Sequence, residues 1–493
     1  MFLKASPLLM ILILFGVAFI LPLIKNEKNI YKVSIVSLVS SLFLSVLNLY
    51  YVLTNSSYKF NMGHFNAPYG IEINVGICES FLAFVFNLVT VLVVLYSFKT
   101  IKNDIKKHRI MFYYLLINIT LASLFGMLFT NDLFNAFVFI EISNLASCGI
   151  IVIKDKKENI KATIKYLILS CLGSGLVLMG IAFIYSITGN LNMDFAHMEL
   201  LKVKDMYSNV ILISIGLFTI GFGVKGAMFP LHIWLPDAHS SAPAPSSALL
   251  SSLVIKGAVV LMIKVFYRVY GFEIINNLEA LNMVLVLGCA GMIVGSIFAI
   301  LQKEAKRVIA YSSVAQMGYI FFAIGLGGYK ALAMAFYHIM SHALTKSALF
   351  LCVGTMIHKK GKKVADLKGV GIEMPKILGL FTIAAFSMVG IPILPGFISK
   401  WNLSILSIES TRYNLIFIIL LSSLLNLVYY FPIIINGYFG EENIDNKKWK
   451  SKEIKGIEFI SPLILIISMI FMGLYSGNII KLLEIGVKAI IFS

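Results

Sequence analysis

GFGVKGAMFPLHIWLPDAHSSAPAPSSALLSSLVIKGAVVLMIK, residues 221–264, sets three lysines, two histidines and a proline break inside otherwise apolar helix. A lysine at the centre of a bilayer costs roughly 2.5–3.5 kcal/mol to insert. A helix interrupted at Pro230 also frees backbone carbonyls, which membranes tolerate only beside protein or a water-filled cavity. Charge and cavity together predict an ion or proton path.

The surroundings of this stretch settle the class. Of 493 residues, 59% are hydrophobic, and the mean hydropathy is +0.90. A chain this apolar has no surface with which to stay dispersed, so it reads as an all-α polytopic membrane protein. The formal charge of +17 reports topology rather than nucleic acid, because no basic stretch is interleaved with exposed aromatics. The five cysteines, Cys78, Cys148, Cys171, Cys289 and Cys352, fall in predicted spans and form no CxxC pair, which excludes the usual zinc and iron–sulfur ligand sets. Neither metal nor cofactor is expected. The first apolar run, Pro7 to Ile24, lacks a small-residue cleavage site and reads as a retained span.

Fourteen spans are predicted, at 7–24, 33–53, 75–97, 111–129, 133–153, 163–187, 209–231, 246–269, 281–301, 308–326, 329–357, 375–408 (broken), 413–438 and 457–476. Lysine and arginine concentrate in alternate loops, 25–32, 99–109, 154–165, 303–307, 359–376 and 447–455, at about three to one over the remaining loops and termini. This pattern places those six loops in the cytoplasm and both termini outside. It suits an even number of spans in the cell membrane.

Two five-span units follow an N-terminal block of three spans at 1–110. The first unit occupies 111–270 and the second 281–438, and a C-terminal loop, span and tail complete the chain at 439–493. The fourth member of the first unit carries Lys225 and breaks at Pro230. The fourth member of the second carries Lys400 and breaks at Pro392 and Pro395. Five being odd, the units are inverted repeats, an arrangement that places ion sites near the membrane midplane.

Chemistry-bearing residues line up with this scheme. Glu141, in the fifth span, reads as a proton-carrying or charge-pairing carboxylate; Glu79, in the third, reads equally as function or packing. Lys225 lies among Gly221, Gly223 and Gly226, which admit a neighbouring helix or water, and Lys256 is likewise followed by a glycine. Lys264, near a span end beside Arg268, reads as a snorkelling residue. His338, His342 and Lys346 recur every four residues and form one stripe on a helix face, suited to relaying protons. Without further ligands this stripe is not a metal site. Lys400 is expected on a half-helix beside freed carbonyls. Asp237 and His239 are placed on the loop between the seventh and eighth spans, shaping a mouth or capping a helix. His232, next to the proline break, joins them and Lys346 as a secondary candidate.

The segments FPLHIWLPDAHSSAPAPSSALLSSLVIKGAV, YHIMSHALTKSALFL and GIPILPGFISKW resemble the antiporter-like subunits of complex I, of membrane-bound hydrogenases and of multisubunit Mrp sodium/proton antiporters. The early GHFNAPYGIEI is similar to the D-type subunit of Mrp complexes. The resemblance implies a proton-translocating subunit, or one exchanging protons with sodium, working inside a multisubunit membrane complex. It matches Glu141, Lys225, Lys256, His338, His342 and Lys400 to that family's pathway residues. Some complex I paralogues carry glutamate where this chain has Lys400. The chain also lacks the long lateral C-terminal helix of the largest paralogue, having only a short apolar tail after Gly477, and residues 455–493 are expected to pack on a neighbouring subunit. The rival readings are a quinone-reductase enzyme subunit and a structural scaffold. GFGVKG lies mid-membrane with no strand before it and is no dinucleotide fingerprint, so the chain offers no redox site of its own.

Overall fold

The computed structural model describes residues 3–439 and 456–491. The N-terminal block consists of α1 (Ser6–Ile20), α2 (Glu27–Asn55), a hairpin of β1 (Tyr58–Asn61) and β2 (Glu72–Val75), and α3 (Ile77–Thr100). Then come α4 (Ile110–Phe129), α5 (Leu133–Val152), α6 (Lys157–Thr188), α7 (Met193–Val203), α8 (Ser208–Lys225), α9 (Leu235–Ser241) and α10 (Ala244–Leu249). A π-helical turn joins α10 to α11 (Ile255–Lys264), and a second π-helical turn joins α11 to α12 (Gly271–Asn277). The second half comprises α13 (Ala280–Ile300), α14 (Ala305–Leu326), α15 (Gly328–Lys359), α16 (Val370–Glu373), α17 (Pro375–Val389), α18 (Pro395–Glu409) and α19 (Asn414–Phe439). It ends with α20 (Ile457–Leu474) and α21 (Ser476–Ile491).

Among the described residues, 13 helices are long and apolar enough to cross a membrane. The remaining predicted span is the pair α17 and α18, of 15 residues each. Neither half crosses ~30 Å of hydrocarbon alone, since that takes about 20 helical residues. The protein is therefore a multi-pass membrane protein, as its composition predicts.

Both proline breaks are present, though the first begins ahead of its proline. The seventh predicted span extends through 231, but α8 stops at Lys225. Gly226 opens the break, and Ala227 follows at a φ of 54°. The second break runs from Gly390, at a φ of 101°, through Ile393 at 75°, until Pro395 restarts the helix as its first residue. A β-branched residue at positive φ is strained and persists only where its surroundings dictate it.

Three further elements depart from the sequence reading. β1 and β2 pair antiparallel with Tyr58 opposite Val75 and Asn61 opposite Glu72. α7 is an amphipathic helix too short to span. The tail after Gly477 is the regular helix α21, whose Leu483, Gly486 and Val487 are buried. A Cβ added at Gly486 would lie 2.8 Å from Cys78 Sγ on α3, so α21 packs on its own chain.

The densest packing joins α13 to α14, where small residues let backbones touch. A Cβ on Gly318 would sit 2.6 Å from Met292 N, and one on Gly325 would sit 2.3 Å from Leu285 N.

Charged groups gather at the two ends of the bundle. At one end, Glu27 pairs with Lys102 and Lys107, and Asp104 pairs with Lys154 and His358. This end collects five of the predicted basic loops; the sixth, 447–455, lies outside the described residues. At the opposite end, Arg268 donates through Nε and a terminal nitrogen to Asp194 at 2.5 and 2.9 Å. Lys59, from the hairpin, reaches the same carboxylate at 2.6 Å, and Asn131 bridges Asp194 to Glu72. Burial pushes the Asp194 carboxyl up, but Arg268, Lys59 and Asn131 outweigh it and hold the group down at about 2. Because this folded value lies below the unfolded one of roughly 3.9, the stability it contributes is complete above about pH 5 and lost as pH falls towards 2. We expect Asp194→Asn to lower stability at pH 7 by about 2 kcal/mol. The gap from the parent protein, followed by thermal melts, should close at acid pH.

Candidate functional site

Buried ionisable side chains form a file through the middle of the bundle, and helix irregularities decide where each one sits. Lys400 lies in the second turn of α18 and turns back across the break. Its Nζ donates to Met388 O at 2.7 Å and Val389 O at 3.0 Å, the last carbonyls of α17. A helix C-terminus carries negative partial charge and leaves its carbonyls unpaired, which suits an ammonium group. The Tyr319 ring lies under the same nitrogen at 4.8 Å. The expected half-helix and freed carbonyls are thus both in place.

Next to Lys400, Ser399 Oγ meets His338 Nδ1 at 2.8 Å. His338, His342 and Lys346 are fully buried on α15, and the three span two turns, about 12 Å. The two imidazoles lie 6.3 Å apart between centroids, and neither nitrogen of His342 has a hydrogen-bond partner among the described residues. Lys346 donates to Ile309 O at 3.0 Å, to Ser312 Oγ, and to Tyr430 OH at 3.3 Å. Lys256 is the second residue after the π-helical turn and donates to Ser251 O within it. The titratable groups acting on His342 are Lys256, Lys346, His338 and His239, so these groups form one electrostatic unit.

Lys225 closes α8, and its buried Nζ finds no hydrogen-bond partner among the described residues. Trp234 Nε1 satisfies the neighbouring Val224 carbonyl at 2.8 Å. The close approach expected at the glycines is real, since a Cβ on Gly221 would lie 2.7 Å from Gly173 O of α6. Glu141 is half-buried on α5, accepts a hydrogen bond from Asn144 Nδ2 at 3.2 Å, and is the principal opposite charge acting on Lys225. No ion pair or hydrogen bond joins Lys225 to Glu141 among the described residues, so the carboxylate acts on the lysine from a distance.

Two expectations need correction. Lys264 does not snorkel. It is 1% exposed, donates to Leu128 O and Thr130 O at the C-terminal end of α4, and lies 3.8 Å from Glu79 Oε1. Glu79 is equally buried, so these two residues form an ion pair within the bundle. The ends of α4 and α11 meet there, which leaves Lys264 no route to an interface. Secondly, Asp237 and His239 do not lie on an open loop. Both belong to α9, with Asp237 bound to Lys165 and Arg307 at 2.8 and 3.0 Å, and His239 fully buried. His232 is buried in the unwound stretch before α9, its ring stacked on Phe229 at 5.5 Å.

Several participants escape a reading of the sequence. Ser399 and Tyr430 are ordinary in composition, and only the fold brings them to the file. Lys306 falls in a predicted basic loop, yet it is buried and bonds Ala242 O. Its place in the first turn of a helix is the available signal, since lysine is poorly suited to that position.

The transmembrane family described as NADH:quinone oxidoreductase/Mrp antiporter matches residues 130–426. The N-type subunit of the NADH-quinone oxidoreductase of Desulforudis audaxviator is 37% identical over 329 residues. That match covers 66% of this chain but 64% of the relative, under two thirds of its length. The D-type subunit of the Na(+)/H(+) antiporter of Bacillus subtilis is 30% identical over 455 residues, covering 91% of this chain and 90% of the relative. A chain of the membrane-bound sulfane sulfur reductase, an archaeal respiratory membrane complex, superimposes with a TM-score of 0.89 at 26% identity, covering 99% of this chain and 97% of that one. A chain of the Mrp complex from a Dietzia species superimposes at 0.88 with 20% identity, over 100% and 98% of the two chains, a likeness of fold.

The Glu79–Lys264 pair offers a test of burial. Removing one member of a buried pair strands the other, at a cost of roughly 3–5 kcal/mol. Lys264→Met alone should therefore melt well below the parent protein, and adding Glu79→Gln should recover most of the loss, as read by thermal unfolding of the detergent-solubilised chain.

Proposed function

Because the chain belongs to the NADH:quinone oxidoreductase/Mrp antiporter transmembrane family, we propose that it moves protons across the membrane along the row Glu141, Lys225, Lys256, His338/His342 and Lys400. The observation that carries this reading is the buried file itself. Its histidines and lysines sit on backbone carbonyls, hydroxyls or nothing, and none is locked in an ion pair within 4 Å among the described residues. Three ammonium groups and two imidazoles, with one half-buried carboxylate among them, cannot all hold protons cheaply in a low-dielectric interior. Loading one site therefore disfavours loading its neighbours, which is the property a relay needs. Lys346 stands beside the file and extends its polar stripe.

Working partners are other membrane subunits of a multisubunit complex of the Mrp, complex I or sulfur-reductase type. In this reading the chain lies in the cell membrane with its basic face in the cytoplasm and its termini outside. The two broken segments, after Lys225 and before Lys400, act as counterparts in two inverted five-span units at 111–270 and 281–438. Sodium exchange fits the likeness to the antiporter relative, and proton pumping fits the likeness to the oxidoreductase relative.

Lys225→Ala should leave the protein inserted and assembled while abolishing coupled ion movement, measured as dye-reported acidification of sealed vesicles. Full transport in that variant would defeat the mechanism.

A further inference from the structure

A cleft of about 490 Å³ opens on the basic face, walled by the loop after α3, the start of α6, α9 and the start of α14. Several of its charged groups are paired at the rim. Asp104 is bound to Lys154, and Asp237 is bound to Lys165 and Arg307. Lys306, at the inner wall, differs from them. It is the second residue of α14, where the helix dipole disfavours a cation, and it is 7% exposed. Its Nζ turns instead to Ala242 O, at the C-terminal end of α9.

Behind this contact lies His239. Residues two apart on a helix point about 200° from one another, so α9 presents Asp237 to the cleft and His239 to the interior. The imidazole is fully buried, its edges against Trp234 and Phe350. Neither ring nitrogen has a hydrogen-bond partner among the described residues, a costly state for a group with no transient partner to receive. The charges acting on it are Lys256, Lys306 and Lys346. His239 thus stands where the cleft, the π-helical turn and the stripe of α15 converge.

We infer that this cleft is the inlet of the row, with Lys306 as the group that takes up a proton and His239 as the group that passes it to Lys346 and Lys256. This rests on the proton-translocating reading above. Each transfer is balanced. Lys306 gives one proton inward and regains one from the cleft, and the imidazole binds a proton on one nitrogen while releasing one from the other.

The test is proton transport by the assembled complex in sealed vesicles. Lys306→Arg keeps the cation and its bond to Ala242 O but cannot release a proton. The expected result is a fall of at least about tenfold in initial rate, with assembly and melting temperature unchanged. A merely structural pin would survive this exchange, so transport at the parent rate overturns the inlet. Should Lys306→Arg fail to assemble, His239→Gln decides, with the same fall supporting the inlet and the parent rate overturning it. Lys225→Ala runs alongside. Transport lost there but kept in the other two variants sinks the inlet alone, whereas transport kept in all three sinks the row.

Discussion

The bond between a buried ammonium and the carbonyls of an interrupted helix organises this protein. Lys400 sits on the end of α17, Lys264 on the end of α4, Lys306 on the end of α9, and Lys256 on a π-helical turn. Each break leaves carbonyls that hydrocarbon cannot satisfy, and each lysine brings a charge that hydrocarbon cannot solvate. Each liability answers the other. The breaks in turn require the rest of the bundle, because strained residues such as Ala227 and Ile393 hold their backbone angles only where neighbours enforce them.

A carbonyl differs from a carboxylate as a partner in one respect that matters here. It holds a cation without forming a tight pair of opposite charges, so the proton can leave without stranding a buried anion. The Glu79–Lys264 pair shows the contrast. Held at 3.8 Å and wholly buried, it suits a fixed strut at one end of the bundle, whereas Lys225 and Lys400 keep their freedom.

Much of this is legible in the residues. Hydrophobic runs locate nearly every span, because a helix crossing lipid must be predominantly apolar over about 20 residues. Prolines mark both interruptions, and the period of four joins His338, His342 and Lys346 on one face. Direction of approach is not legible. Whether Lys264 reaches out to an interface or in to Glu79 depends on how α11 meets α3 and α4. Whether Lys306 and His239 are loop charges or buried groups depends on where α9 packs. These are long-range facts about the bundle, and the place of Lys306 in a first helical turn is the one local hint of them. The helix α21 is likewise hidden, since a short amphipathic tail looks the same whether it packs or hangs free.

The central claim is that the row works by giving up protons and not merely by holding charge. The most direct measurement is proton flux through the assembled complex in sealed vesicles when Lys400 becomes arginine. That exchange keeps a cation on the Met388 and Val389 carbonyls but removes a proton that can leave. The account predicts flux at background with assembly intact. Flux at the parent rate would contradict it.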